Sequence, residues 1–161
     1  MRSEATHSRY HLFNTNTRFR PVEGHEFMLR QGCAAAFFDF RHVVDELRKG
    51  DVVFLYESKA GIVAMGIADG EVRKEPATSI DGSQRDNEGK HWMKLDEFTP
   101  VEPPIPAKVI RGIVEDLSGG NIVFRLARIP LRADVGKAIH RLARGRNAVS
   151  PGVQRLEQGK K

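Results

Sequence analysis

Two runs of β-forming residues set close together constrain this chain more than anything else in it. Val52 to Tyr56 is an unbroken stretch of Val, Phe, Leu and Tyr, as expected of a central strand covered on both faces. Ile62 to Ile67 follows after Ser58, Lys59, Ala60 and Gly61, so the two runs pair as a hairpin. Arg9 to Thr15 reads as a first strand carrying Tyr10, Leu12 and Phe13, and His91 to Phe98 as a later one. Ile122, Phe124 and Leu126 alternate after the turn Gly119-Gly120-Asn121, giving a last strand. The helices between are short. Glu23 to Gln31 turns Phe27 and Met28 inward and stops at Gly32, while Phe40, Val43, Val44 and Leu47 recur at helical spacing between Asp39 as cap and Gly50 as end. About five strands without regular alternation with long helices argue against a doubly wound parallel sheet. The expected class is α+β: a small, mixed but mostly antiparallel β-barrel with peripheral helices.

The remaining segments are expected to be less regular. Residues 75–90 are polar and turn-rich, a long loop; Pro100, Pro103, Pro104 and Pro106 mark an extended crossing rather than a ladder strand. Asp134 can cap a helix whose apolar stripe is Val135, Ile139 and Leu142, with Lys137, Arg141 and Arg144 on the opposite side and Gly145 as its stop. A frayed tail is expected from Arg146.

At 161 residues the chain suits one domain, divided here into a barrel over 1–130 and a basic helix with its tail over 131–161. The net charge of +5 is unevenly spread. Residues 1–124 hold 16 Lys/Arg against 19 Asp/Glu, whereas 125–161 hold 10 Lys/Arg against only Asp134 and Glu157. Such concentration is a usual footprint of contact with a polyanion. The longest apolar run, Cys33 to Phe38, is far short of a membrane span of ~20 residues. The polar first dozen residues do not resemble a secretory signal, and Cys33 alone can form no internal disulfide. The expected setting is the cytoplasm, with no membrane contact.

The hairpin also carries a resemblance. Gly50-Asp51-Val52-Val53-Phe54-Leu55-Tyr56-Glu57-Ser58, then Gly61-Ile62-Val63-Ala64-Met65-Gly66-Ile67-Ala68-Asp69-Gly70-Glu71-Val72, resembles the centre of EVE domains of the PUA-like superfamily. The match covers about twenty residues; 10–98 follow the expected order less specifically, and 99–130 complete the barrel. The resemblance implies a PUA-like barrel that takes a modified base of DNA or RNA, turned out of its strand, into a pocket beside the central strand. Restriction or RNA-modification machinery often accompanies such modules, which makes a restriction-system protein a candidate partner. Family members often carry a Trp in the first strand, where this chain has Tyr10-His11-Leu12-Phe13.

A flipped base needs an aromatic face and a few polar groups to read its edge. Trp92 is the stacking candidate, sharing a strand face with Lys94 and Asp96, and Tyr56 with Ser58 offers hydroxyls at the rim. Asn14, Thr15 and Asn16 supply amide and hydroxyl readers. Cys33 and Ala34 would let a planar ligand approach the backbone, unless they form a packed helix end. Arg125, Arg128, Arg132, Lys137, Arg141, Arg144 and Arg146 are the phosphate candidates.

Catalytic signatures are sparse. His7 and His11 lack the HExxH frame, and there is no phosphate loop and no GxSxG elbow. No cofactor, metal or catalytic residue is expected. The alternatives are a small hydrolase of modified nucleosides, of the related ASCH type, or a protein-protein adaptor in a defence system. No Lys/Thr/Glu constellation of the ASCH kind can be aligned here.

Overall fold

The computed structural model describes the backbone of residues 9–15, 24–78 and 85–159, and side chains as far as Arg146. Seven strands and three α-helices follow one another: β1 (Tyr10–Asn14), α1 (Gly24–Gln31), β2 (Cys33–Phe37), a 3-10 helix (Phe38–Glu46), β3 (Val52–Glu57), β4 (Gly61–Ala68), β5 (Arg73–Thr78), β6 (Arg85–Ile105), α2 (Ala107–Ser118), β7 (Arg128–Leu131) and α3 (Ala133–Gly159).

The sheet order is β2-β6-β4-β3-β1-β7, with β5 on the free side of the first half of β6. Only β1 and β3 pair in parallel, in the register Tyr10↔Val52 to Asn14↔Tyr56; every other pairing is antiparallel. The 21-residue β6 would span about 70 Å if straight. It bends instead. Residues up to Lys94 pair with β2 and β5, residues from Leu95 onward with β4, and the left-handed Glu97 (φ 54°) lies just past the change of partner. This single strand curls the sheet into a mixed, mostly antiparallel half-barrel.

Strand alternation sorts the side chains into two cores. Phe13, Val53, Leu55, Met93 and Leu95 face the inside of the curl with α1, β2 and the 3-10 helix. Tyr10, Leu12, Val52, Phe54 and Tyr56 face outward and are covered by α2 and α3 through Ile110, Val114, Val135 and Ile139. The continuous apolar run of β3 is thus buried on both sides, as its sequence predicts.

Several segments depart from the sequence expectation. Phe40 to Glu46 lies in a 3-10 rather than an α-helix, with Leu47 as its extended C-cap; three residues per turn put Phe38 and Val44 on one buried side, continued by Leu47, and leave Phe40 exposed. Asp39 does not cap it. Cys33 to Phe37 is a strand, and residues 75–78 and 85–90 of the expected loop belong to paired strands. The proline run lies within β6: between Ala64↔Pro100 and Ile62↔Ile105, two residues of β4 oppose five of β6, so Pro103 and Pro104 fall in the bulged excess where no ladder N–H is required. Ile122 to Leu126 forms turns, and the last strand is Arg128–Leu131. Gly145 does not stop the final helix, which runs on to Gly159. The helix Ala107–Ser118 was not expected, although Ile110, Ile113, Val114 and Leu117 carry its period and Gly119, in the left-handed region (φ 69°), ends it.

Candidate nucleic-acid interface

Trp92 stands on the face of β6 opposite His91, Met93 and Leu95, flanked along its strand by Lys90 and Lys94. Pairing sets Ala35 of β2 on one side and Arg73 of β5 on the other. Ala35 is too small to cover an indole. Phe27 of α1 meets the Trp92 ring edge-on, with centroids 5.7 Å apart at 89°, and the Arg73 guanidinium lies 5.0 Å from the ring centroid. Asp69 and Glu71 hold Arg73 there, each at 3.0 Å. Lys90 Nζ sits 3.8 Å from the Phe27 ring centroid and 3.0 Å from Glu75. The Lys90 ammonium is the main influence holding Glu75 below the ordinary carboxylate range; burial opposes it, and the nearby Trp92 N–H assists. That indole nitrogen nonetheless lacks a partner at hydrogen-bonding geometry among the described residues. The result is a half-buried aromatic platform bordered by two ion-paired cations, Arg73 and Lys90.

Tyr56 belongs to the other core. Its ring stacks on Phe124 at 4.6 Å and 10°, with Arg111 5.0 Å from the Phe124 ring centroid on α2. Burial raises the Tyr56 phenol above its usual pKa, against a smaller opposing effect of Arg111. Tyr56 and Trp92 therefore do not border one hollow, and the Tyr56 hydroxyl does not stand at the rim of a Trp92 site. Tyr56 packs in the outer cluster with Val52 and Phe54, whereas Trp92 packs against the other cluster and against Phe27 of α1.

The polar residues at the end of β1 are woven into the fold. Asn14 Nδ2 donates to the Phe124 carbonyl at 2.6 Å. Thr15 donates its backbone N–H to the Tyr56 carbonyl at 2.9 Å, and its hydroxyl meets His25 Nδ1 at 2.7 Å. His25 also stands 3.6 Å from Glu57. Since His25 and Phe27 are both on α1, this short helix links the ends of β1 and β3 to the Trp92 platform. Asn16 lies outside the described residues. Ser58 is exposed in the β3–β4 turn. Cys33 and Ala34 are completely buried, so neither offers the close approach expected of it; burial pushes the Cys33 thiol up to about 12.

The seven basic candidates divide by what they already hold. Arg128 is half-buried and its Nη1 donates to His11 Nδ1 at 3.1 Å. His11 Nε2 then serves as donor to Asp51 at 2.9 Å, and Asp51 also accepts from Arg9 at 2.7 Å and from the Arg48 backbone at 2.9 Å. Burial lowers the His11 pKa, so the imidazole is neutral with its proton on Nε2. No local pattern announces this network, because its three segments, Arg9–His11, Arg48–Asp51 and Arg128, lie far apart along the chain. Arg132 pairs with Asp134 at 2.8 Å, and Arg146 Nε donates to the Pro103 carbonyl at 2.8 Å. Arg125 is exposed in the turns before β7. Lys137, Arg141 and Arg144 form an exposed stripe on α3, whose other side buries Val135, Ile139 and Ala143. Arg144 also borders a cleft of about 480 Å³ with His140, Glu97, Thr99 and a floor of Val52, Met65, Gly66 and Ile67. Burial and the neighbouring Arg144 lower the His140 pKa.

No protein-family model and no curated protein matches the sequence. Solved structures do match in shape. Human THYN1, in complex with 5-methylcytosine-containing DNA, superposes with a TM-score of 0.51 at 15% identity, over 84% of this chain and 98% of that one. The YTH domain of Zygosaccharomyces rouxii MRB1, in complex with N6-methyladenosine RNA, gives 0.55 at 15% identity, over 84% and 86%. A structural-genomics protein from Pseudomonas syringae gives 0.56 at 18% identity, over 83% and 99%. The class defined by these shapes is the PUA-like fold. Among the described residues no helix is long and apolar enough to cross a membrane.

Proposed function

We propose that this chain is a non-catalytic nucleic-acid-binding module of the EVE type, which receives a modified base, for example a methylated one, on the Trp92 side of the half-barrel. The observation that carries the reading is the setting of Trp92: a half-buried indole with a small Ala35 beside it and the cations Arg73 and Lys90 within reach of an incoming anion. Two proteins of the same fold are held with methylated nucleic acid, one with 5-methylcytosine DNA and one with N6-methyladenosine RNA. In this account Arg73 moves off the indole face, or stacks on the far side of the base, while Asn14 and Thr15 stay buried and hydrogen-bonded within the fold. The exposed stripe Lys137, Arg141 and Arg144 contacts backbone phosphates. Catalysis has no support in Cys33, whose thiol is buried and protonated.

The test is equilibrium binding of otherwise identical oligonucleotides carrying cytosine, 5-methylcytosine, 5-hydroxymethylcytosine, adenine or N6-methyladenosine, at one fixed salt concentration. One modified form is expected to bind more tightly than its plain counterpart. Trp92→Ala should remove that preference and weaken binding by ~1–3 kcal/mol, about 5- to 150-fold. Equal affinity for all oligonucleotides, unchanged by the substitution, would overturn the reading.

A further inference from the structure

His91 directly precedes Trp92 but points to the other face of β6, into a group of side chains that the base-binding account does not use. There the 3-10 helix packs against the strand and brings His42 and Asp45, three residues apart, up to His91. Asp45 meets both imidazoles with one carboxylate: Oδ1 lies 2.8 Å from His91 Nδ1 and Oδ2 lies 3.0 Å from His42 Nδ1. The two rings stand nearly perpendicular, with centroids 5.2 Å apart. One donor atom from each of the three residues falls within 4.8 Å of the others.

We infer that His42, Asp45 and His91 form a binding site for a divalent transition-metal ion such as Zn²⁺. Bonds of about 2.0–2.2 Å meeting at tetrahedral to octahedral angles place neighbouring donor atoms about 3.0–3.5 Å apart. The spacings of Asp45 to the two histidines are close to this, so an ion can take the place of the shared protons with small side-chain movements. Two imidazoles and a carboxylate are the donor set that suits Zn²⁺, Co²⁺ and Ni²⁺ and is poor for Ca²⁺ or Mg²⁺. The site is anchored on one side and open on the other. The His91 side chain is 2% exposed and set by the register of β6, whereas those of His42 and Asp45 are 65% and 37% exposed. Water or a ligand can therefore complete the coordination shell. Because the ligands come from two elements 46 residues apart, an ion here clamps the 3-10 helix to β6 and stabilises the folded state.

The experiment titrates the untagged full-length chain, stripped with chelator, with ZnCl₂ by calorimetry, and in parallel with CoCl₂ by visible absorption. The wild type is expected to take up one ion per chain with micromolar affinity, to develop ligand-field bands with Co²⁺, and to melt about 5 °C higher at a hundredfold excess over Kd. His42→Ala and Asp45→Asn, both at exposed positions, should keep a wild-type circular dichroism spectrum and each bind at least tenfold more weakly. Absence of uptake at 100 µM metal, or uptake equal in wild type and His42→Ala, would overturn the assignment. Neither outcome bears on Trp92, which faces the other side of the strand.

Discussion

The Tyr56 phenol lies parallel to the Phe124 ring at 4.6 Å, joining the end of the central strand to a segment with no regular secondary structure. The stack explains why residues 121–127 hold their course: Asn14 grips the Phe124 carbonyl and its aromatic ring closes the outer core over Tyr56. Phe124→Ala is expected to lower stability by about 1–3 kcal/mol, less than a fully buried Phe because the ring is only half-buried. Urea denaturation measures this. Since Tyr56 faces away from Trp92, oligonucleotide affinity should change little in the folded variant.

Acid should weaken the fold through His11. Its pKa in the folded chain is below the ordinary 6.5 because of burial, so the unfolded chain takes up the proton first. The stability contributed by neutral His11 is complete above pH 6.5 and falls as pH drops toward the folded pKa; His140, also lowered by burial, acts in the same direction. Melting temperature should fall between pH 7.5 and 5, and His11→Gln should flatten the profile. An unchanged slope in that variant would assign the acid sensitivity elsewhere.

Asp51 accepts hydrogen bonds from three residues, Arg9, His11 and the Arg48 backbone. Burial resists its ionisation, yet those donors prevail and hold its pKa below the usual carboxylate value. Asp51→Ala leaves His11 and Arg9 without their acceptor and is expected to cost about 3 kcal/mol or more, read from the denaturant midpoint. Arg9→Ala, whose side chain is 39% exposed, should cost much less.

Salt dependence separates the basic residues. Alanine at Lys137, Arg141 or Arg144 should each reduce the slope of log K against log salt by about 0.7–0.9 while leaving the melting temperature nearly unchanged. Arg128→Ala is expected to do the reverse, lowering stability through His11 with little effect on the slope. Identical slopes in all four variants would remove α3 from the interface.

The Cys33 thiol, buried in β2 and pushed up to about 12, should resist alkylation at pH 8 in the folded protein and react at once in 6 M guanidinium. Mass spectrometry after a timed iodoacetamide pulse distinguishes the two cases.

What the sequence disclosed followed from patterns short enough to be local. The hairpin Val52–Tyr56 with Ile62–Ile67, the alternation around Trp92 and the apolar stripe Val135–Ile139 all appear in the fold as their periods predict. The 3-10 helix went astray because the residues Phe38, Val44 and Leu47 satisfy a period of three while Phe40 and Val43 suggest one of 3.6. Pro103 and Pro104 read as strand breakers because the bulge that tolerates them is created by β4, forty residues away. The separation of Tyr56 from Trp92 was likewise beyond local pattern, since it depends on which face of a curled sheet each strand presents. The grouping of His42, Asp45 and His91 had only a local half, the helical spacing of the first two; the packing of the 3-10 helix on β6 supplied the third.

Trp92 is the single tryptophan of the chain, so its fluorescence reports on one ring alone. Titration of the protein with an oligonucleotide bearing the preferred modified base therefore reads base stacking at Trp92 itself. Stacking of a base on the indole should quench and shift the emission with the same midpoint as binding followed from the nucleic acid. Binding that saturates while the Trp92 emission stays constant would contradict that stacking.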